Sequence, residues 1–426
     1  MHIVDLIEKK KKGCIHTKDE IDFIVKNYTN GSIEDYQMSA WLMAVCFQGL
    51  NEDETVYLTQ SYIESGDTLD FSGISDCIAD KHSTGGVGDK VTIVLIPILA
   101  SLGIYTAKLS GRGLGFTGGT IDKLESIPNF RTELKKEEFL EQIKKIKVVI
   151  SSQSPNLTPA DGKIYALRDV TATVDNMSLI CASVVSKKIA SGANSVVLDV
   201  TYGSGAFLKT KEEAQKLGNL MLRTAKKLNK NFDIVISSME QPLGYAVGNS
   251  LEVIEGIEFL KGKKIEDLYN VVLDIAIKTL ANCNITSDPK EAKSAIDKVI
   301  ENGGALNKLK ELISYQGGNV KCIEDYSLFN IGNNTFDIKS KKAGCITKLD
   351  ALNIAKAAKL LGAGRDKKTD FIDYGAGIVL NKKVGSYIKE NETVLVLYFN
   401  DTNDKKLSEA KEYLNQAIEI STSKDF

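Results

Sequence analysis

The stretch "KLSGRGLGFTGGTIDKLE" (residues 108–125) contains five glycines among eighteen residues. Its other polar side chains include three hydroxyls and two cations: Ser110, Thr117, Thr120, Lys108 and Arg112. Glycine tolerates positive φ, so such a loop lets several backbone N–H groups converge on one point, where an anion binds. A helix that follows the loop adds the positive end of its dipole. The stretch therefore predicts an anion-binding loop.

A second loop of similar composition, "DKHSTGGVGDKVT" (residues 80–92), precedes it. Either loop alone could be only a tight turn, but two of them, each with lysine and hydroxyl groups, predict one phosphate-sized site held from two sides. This loop is not a P-loop, since Lys90 is followed by Val91 and the glycine spacing is wrong. The formal GxGxxG match at 113–118 lacks a clear preceding strand and a ribose-binding acid. The pattern favours inorganic phosphate.

Composition excludes several classes of protein. The 426 residues carry 54 basic and 56 acidic side chains, which argues against a nucleic-acid-binding surface. The longest apolar run, 91–105, is shorter than the ~20 residues of a membrane span and contains Pro97, so we expect a buried element and no membrane partner. Three histidines and scattered cysteines without a CxxC pair argue against a zinc site. The N-terminus shows no targeting signal, and we expect a cytoplasmic protein.

The hydrophobic pattern changes twice along the chain. The first ~65 residues have helical periodicity, with a capping box from Thr17 to Glu20. From about residue 70, strands and helices alternate, which predicts an α/β fold with a largely parallel sheet. The clearest strands are 148–151, 195–200 and 232–237, and the clearest helices are 212–228, 250–260, 265–281 and 290–300. Beyond about residue 340, a strand–turn–strand pattern (386–399) and a helix (407–418) predict an α+β module.

A third segment, residues 162–194, carries groups that could bind an organic substrate. Ser183 and Lys187 are four residues apart and share one face of a predicted helix, and Arg168 lies upstream. Together they could hold the polar edge of a planar ligand. The alternative from this segment alone is a surface helix with solvated lysines.

The sequence resembles the pyrimidine-nucleoside phosphorylase / thymidine phosphorylase family over essentially its whole length. The resemblance rests on five motifs: "KHSTGGVGD" (81–89), "SGRGLGFTGGTIDKLE" (110–125), "IYALRDVTATVD" (164–175), "SKKIASGA" (186–193) and "QPLGYAVGNSLEV" (241–253). It implies a homodimer and a fold of a small all-helical domain, a large mixed α/β domain and a C-terminal α+β module.

The resemblance also implies domain boundaries. A helical domain of residues 1–65 and 162–193 would bind the base and form the dimer. An α/β domain of residues 66–161 and 194–340 would bind phosphate, and 341–426 would form the C-terminal module. The active site would then lie in the cleft between the first two domains.

Site residues carried over from the family fall into three groups. Those implied to bind phosphate are Lys81, Ser83, Thr92, Lys108, Ser110 and Thr120. Those implied to bind the substrate are Tyr165, Arg168, Ser183 and Lys187, with an apolar wall of Leu114, Val174, Ile180 and Phe207. Those implied to be catalytic are His82, Arg168 and Lys187, with His82 near the base O2 or the sugar.

The implied activity is that of a pentosyltransferase in nucleoside salvage. Uridine, thymidine or deoxyuridine would react reversibly with phosphate, the co-substrate, to give the free base and (deoxy)ribose 1-phosphate, without an organic cofactor. Two alternatives stay open: a phosphoribosyltransferase of the same fold, and a non-catalytic nucleoside-binding relative.

The sequence departs from the family at two informative positions. Phe116 stands where the family usually has histidine, which could change the sugar preference. Lys90 stands where many bacterial members have a threonine linked to a potassium site, although the remaining residues of that site are present: Gly88, Leu243, Ala246 and Glu255. A lysine ammonium near Glu255 could take the place of the ion, so the ion and the ammonium are alternatives.

Overall fold

The computed structural model describes residues 1–113, 118–365, 367, 369–401 and 403–422. The chain forms two compact units. The first consists of Met1–His82, Gln153–Leu198 and Gln215–Ile234, and the second of Ser83–Ser152, Asp199–Ala214 and Val235–Phe426.

Among the described residues, helices and strands alternate between residues 78 and 238, whereas four consecutive helices precede this region and four lie between residues 249 and 315. The helices are α1 (Ile3–Lys11), α2 (Lys18–Thr29), α3 (Asp35–Gln48), α4 (Glu52–Glu64), α5 (Val91–Ser101), α6 (Thr120–Glu125), α7 (Lys136–Ile146), α8 (Pro159–Val170), α9 (Met177–Ala190), α10 (Lys211–Lys227), α11 (Asn249–Leu260), α12 (Glu266–Asn282), α13 (Pro289–Glu301), α14 (Gly304–Tyr315), α15 (Ala351–Ala358) and α16 (Asp404–Ala417). The strands are β1 (Ile78–Ser83), β2 (Tyr105–Ser110), β3 (Val148–Ser152), β4 (Ser195–Tyr202), β5 (Asn231–Ser238), β6 (Ala246–Val247), β7 (Asn334–Lys339), β8 (Gly344–Leu349), β9 (Gly377–Leu380), β10 (Tyr387–Ile388), β11 (Thr393–Phe399) and β12 (Ile418–Ser421).

The first unit contains a helical bundle. Helices α1–α4, α8 and α9 bury one shared core, in which Trp41, Leu42 and Leu58 are fully enclosed. The predicted capping box begins α2: the Glu20 N–H donates to Thr17 Oγ1 at 3.3 Å, and the Thr17 N–H donates to the Glu20 carboxylate at 2.7 Å. These bonds satisfy two backbone donors that a helix N-terminus otherwise leaves unpaired.

The predicted α/β pattern corresponds to a five-stranded sheet of order β3-β2-β1-β4-β5. Strands β2 and β3 are parallel, with Thr106 opposite Val148 and Ser110 opposite Ser152. The three predicted strands are confirmed as β3, β4 and β5, and the four predicted helices as α10–α13. The apolar run from residue 91 is the buried helix α5, which contains Pro97.

The C-terminal part has two antiparallel sheets, of order β6-β9-β11-β7 and β10-β8-β12. Helix α16 ends at Ala417, and Ile418 begins β12, whereas the pattern predicted helix to residue 418. The architecture thus comprises a helical bundle, an α/β part and a C-terminal α+β module, as predicted. Among the described residues, no helix combines the length and the apolar character that a bilayer crossing requires.

Candidate active site

The first glycine-rich loop leads from β1 into α5. Gly85 and Gly88 have φ of +100° and +75°, which glycine adopts without strain. The Gly85 N–H donates to Ser83 Oγ at 3.1 Å, and Thr92 is buried in the first turn of α5. The loop therefore leads into the N-terminus of a buried helix, whose dipole favours an anion. The Val91 N–H at this end already donates to the Asp89 carboxylate at 3.1 Å.

The second glycine-rich loop, between β2 and α6, is anchored by carboxylates. Asp122, 1% exposed, accepts a bond from the Gly113 N–H at 2.7 Å and lies 2.8 Å from Arg365 Nη2. Arg112 Nη2 donates to Glu125 Oε1 at 2.7 Å. The charge of Arg112 is therefore compensated within the protein, and the two carboxylates bind residues 112 and 113. Sequence reasoning missed the roles of Asp122, Glu125 and Arg365, because nothing in the local pattern pairs them.

Gly119 is required by this packing, because a Cβ there would overlap the Gly113 nitrogen and lie 2.6 Å from Asp122 Oδ2. Residues 114–117, which include the predicted wall residue Leu114 and the departure Phe116, lie outside the described residues.

The residues predicted to bind phosphate occupy equivalent positions in two successive strand–helix units. They lie on two strands that are neighbours in the sheet, or in the first turn of the helix after each strand. Lys81 and Ser83 are on β1, Lys108 and Ser110 on β2, Thr92 in α5 and Thr120 in α6. His82, half-buried, lies between Lys81 and Ser83 on β1.

A buried ion pair lies next to Lys81 and involves Asp80, its neighbour on β1. Lys188 Nζ lies 2.7 Å from Asp80 Oδ2, and both side chains are at most 1% exposed. The other oxygen of Asp80 accepts the Lys81 N–H at 2.7 Å. Lys188, one residue after the predicted Lys187, is therefore a structural residue.

The predicted substrate residues of the first unit form a cluster on α8 and α9. Lys187 Nζ donates to Ser183 Oγ at 2.8 Å and lies 5.5 Å from the centre of the Tyr165 ring. The Arg168 guanidinium lies 5.6 Å from the same ring centre. Two cations thus flank one aromatic ring, and burial raises the pKa of the Tyr165 hydroxyl. Each cation is attracted to the negative face of the ring.

Arg168 points inward. Its guanidinium is 1% exposed and donates to three backbone carbonyls: Thr173 O at 3.0 Å, Leu179 O at 3.3 Å and Val174 O at 2.6 Å. A guanidinium has five N–H groups, so these bonds leave two for a ligand. Arg168 therefore fixes the turn between α8 and α9 in addition to any role toward substrate.

Asp161 belongs to the cluster, although the sequence analysis did not select it. Its carboxylate, 1% exposed, lies 2.6 Å from Lys187 Nζ. Asp161, Tyr165 and Arg168 are spaced i, i+4 and i+7, which places them on one face of a helix. That spacing was the signal that could have identified it.

The predicted apolar wall is only partly described. Val174 and Ile180 are half-buried in the first unit. Phe207 lies in the second unit, and 55% of its surface is exposed.

Three of the four residues predicted to bind potassium instead contact the Lys90 ammonium, whereas the carbonyl of the fourth, Gly88, accepts the Lys90 backbone N–H at 2.9 Å. Lys90 Nζ lies 2.6 Å from Leu243 O, 3.0 Å from Ala246 O and 2.6 Å from Glu255 Oε2. An ion bound to the same oxygens would collide with this ammonium. The residues present therefore do not fit a potassium ion.

Three family models match the chain. The a/b domain of a glycosyl transferase family matches residues 75–306, and the helical bundle domain of that family matches residues 4–66. The C-terminal domain of pyrimidine nucleoside phosphorylase matches residues 345–421.

Curated proteins are similar to this chain over almost its whole length. A pyrimidine-nucleoside phosphorylase of Staphylococcus haemolyticus is 46% identical, with 98% of this chain and 97% of the relative covered. Those of Geobacillus stearothermophilus and Bacillus subtilis are each 45% identical, covering 99% and 100% of this chain and 97% and 98% of the relative. Among solved structures, an anthranilate phosphoribosyltransferase of Thermus thermophilus matches with a TM-score of 0.60 at 16% identity, covering 73% of this chain and 98% of that one. This last likeness concerns the fold alone.

Proposed function

The chain belongs to the pyrimidine-nucleoside phosphorylase family, and we propose that it catalyses the reversible phosphorolysis of pyrimidine nucleosides such as uridine, thymidine and deoxyuridine. The products are the free base and (deoxy)ribose 1-phosphate. The observation that carries the proposal is identity of 45–46% to three enzymes of that name over at least 98% of the chain.

Phosphate is the nucleophile of the proposed reaction. One of its oxygens forms a bond to C1′ of the sugar while the bond from C1′ to the base nitrogen breaks. We assign phosphate to the two glycine-rich loops, with six side chains as its ligands: Lys81, Ser83, Thr92, Lys108, Ser110 and Thr120. The support is chemical, since hydroxyls, lysines and helix N-termini are the groups that bind oxyanions in proteins.

The leaving base takes the electron pair of the broken bond and then a proton, which hydrogen phosphate gives up on becoming the sugar phosphate ester. Positive charge builds on the sugar and negative charge on the base, as in other glycosyl transfers. We assign the stabilisation of the base to Arg168 and Lys187, with Ser183 and Tyr165 as its neighbours and His82 near the sugar. Val174, Ile180, Leu114 and Phe207 are proposed as the apolar wall. Preorganised charges of this kind contribute strongly to catalysis, at roughly 10²–10³ in rate for one donor.

We assign no role to potassium in this mechanism, because the oxygens of Leu243, Ala246 and Glu255 already contact the Lys90 ammonium. We also propose that the enzyme acts in cytoplasmic nucleoside salvage as a homodimer formed by the helical domain, residues 1–65 and 162–193. Light scattering coupled to gel filtration tests this oligomeric state. A dimer is expected to have a molar mass of about twice the 46.5 kDa of one chain.

A phosphorolysis panel tests the activity. Uridine, thymidine and deoxyuridine are each incubated with and without phosphate in EDTA, and the free base is measured by chromatography. We expect release of base that depends on phosphate and not on a divalent metal. No release from any nucleoside would favour a binding protein, whereas activity only with a phosphoribosyl pyrophosphate and magnesium would favour a phosphoribosyltransferase.

A further inference from the structure

Lys90 lies at the centre of an oxygen cage within the second unit. Its side chain is fully buried, and its ammonium contacts two carbonyls and one carboxylate at 2.6–3.0 Å: Leu243 O, Ala246 O and Glu255 Oε2. Carbonyl and carboxylate oxygens are also the ligands that hard cations prefer. The cage therefore suits one positive charge, and the chain supplies that charge itself.

The cage is rigid. Glu255, on α11, accepts the Tyr245 N–H at 2.7 Å and the Ala246 N–H at 2.9 Å, which orients the loop that carries the two carbonyls. Gly244, at φ +69°, packs so closely that a Cβ there would lie 2.9 Å from Lys90 Nζ. The oxygens are thus preorganised around the ammonium.

A second lysine binds two other carbonyls of the same loop. Lys383 Nζ donates to Pro242 O and, at 2.8 Å, to Gly244 O, and it lies 2.8 Å from Asp267 Oδ2. The side chain of Lys383 is 12% exposed, so Lys90 is the more deeply buried of the two.

We propose that the Lys90 ammonium is a built-in monovalent cation that takes the place of a bound alkali ion, so that folding and turnover are independent of potassium. Because Lys90 directly precedes α5, its bonds join the first glycine-rich loop to α11 and to the 242–246 loop. Removing the amine while keeping the oxygens converts the cage into a potassium site.

Thermal unfolding of the full chain in potassium, sodium or choline chloride at equal ionic strength tests the proposal. Wild type is expected to show one melting temperature in all three salts. Lys90→Thr leaves the Glu255 carboxylate buried without its partner, so its melting temperature in choline falls by about 5 °C or more. Potassium is expected to recover most of that loss in a saturable way.

Two further variants serve as controls. Lys90→Met fills the cage with a neutral side chain and is expected to be destabilised in every salt. Lys90→Thr combined with Glu255→Gln removes the anionic ligand and is expected to lose the response to potassium.

The proposal is overturned if wild type gains stability saturably with potassium, or if folded Lys90→Thr responds to potassium no more than Lys90→Met. Lys90→Thr that folds only with potassium supports it. Phosphorolysis in the same salts adds a second readout that rests on the proposed function. The thermal measurement does not rest on the proposed function. An absence of phosphorolysis can therefore be distinguished from a failure of the proposal about Lys90.

Discussion

The Asp161 carboxylate lies 2.6 Å from the Lys187 ammonium, and Asp161 is 1% exposed. The Asp161 carboxylate and Ser183 Oγ, which accepts a bond from Lys187 Nζ at 2.8 Å, together orient the Lys187 side chain, which is 22% exposed. A charge held in place before the reaction begins needs no reorganisation when the base departs.

Asp161→Asn is expected to lower kcat by roughly 10²-fold, because the ammonium loses the partner that orients it. Steady-state kinetics on the nucleoside and a thermal melt measure the effect. Asp169→Asn, an exposed carboxylate on the same helix, is the matched control and should keep wild-type kcat. Equal kcat in both variants would contradict a positioning role for Asp161.

Lys187→Ala is expected to reduce kcat by roughly 10²–10³. It also leaves Asp161 buried without a partner, which costs on the order of 3 kcal/mol of unfolding free energy. Adding Asp161→Asn should recover that stability but not the turnover, as measured by urea unfolding and kinetics. A double variant with restored turnover would remove Lys187 from the mechanism.

Arg168→Ala is expected to lower both stability and turnover, since three backbone carbonyls lose their donor. We expect a loss of at least about 3 kcal/mol, at roughly 1–3 kcal/mol for each unsatisfied buried group. Arg223→Ala, an exposed arginine paired with Glu52, should cost at most about 1 kcal/mol. An Arg168→Ala protein as stable as wild type would contradict a structural role for the bonds from Arg168 to these carbonyls.

Phe116→His introduces the residue that the family resemblance implies at this position. It is expected to change the ratio of kcat/KM for uridine and thymidine by about tenfold, because the resemblance implies a polar group on the sugar side of the site, and hydrogen bonding distinguishes substrates that differ by a hydroxyl. Phe116→Leu controls for the loss of the ring. Identical ratios in all three proteins would show that this position does not select the sugar.

His16 is expected to make stability depend on pH. It is 1% exposed, its Nε2 accepts the Trp41 N–H at 3.1 Å, and its Nδ1 lies 3.4 Å from Glu20 Oε2. Burial, aided by the charge of Lys10 and opposed by Glu20 and Glu54, holds the pKa of the imidazole below its usual 6.5.

Because the pKa of His16 is lower in the folded state, its stabilising contribution is complete above pH 6.5 and is lost as pH falls through the folded-state value. Urea unfolding between pH 5 and 8 should show this decline, by at most about 1.4 kcal/mol per pH unit for one proton. His16→Gln should remove that part of the slope, whereas the exposed His2→Gln should not. Equal slopes in wild type and His16→Gln would contradict the assignment.

Much of the secondary structure could be predicted from residue types a few positions apart in the sequence. The Thr17 capping box, the strands near 148, 195 and 232 and the helices between 212 and 300 depend on neighbours a few residues apart, so they are visible in one dimension. Strand β12 was missed because it follows α16 directly and is only four residues long.

The amino-acid sequence by itself determined the class of fold, the two glycine-rich loops and the membership of the family, because these depend on residue types at fixed spacings. Only the tertiary structure decided that Asp161 holds Lys187, that Arg168 turns inward, and that Lys90 fills an oxygen cage. The oxygens around Lys90 include backbone carbonyls 153 and 156 positions away along the chain. A carbonyl is common to every residue, so its role arises only when packing brings it to a charge.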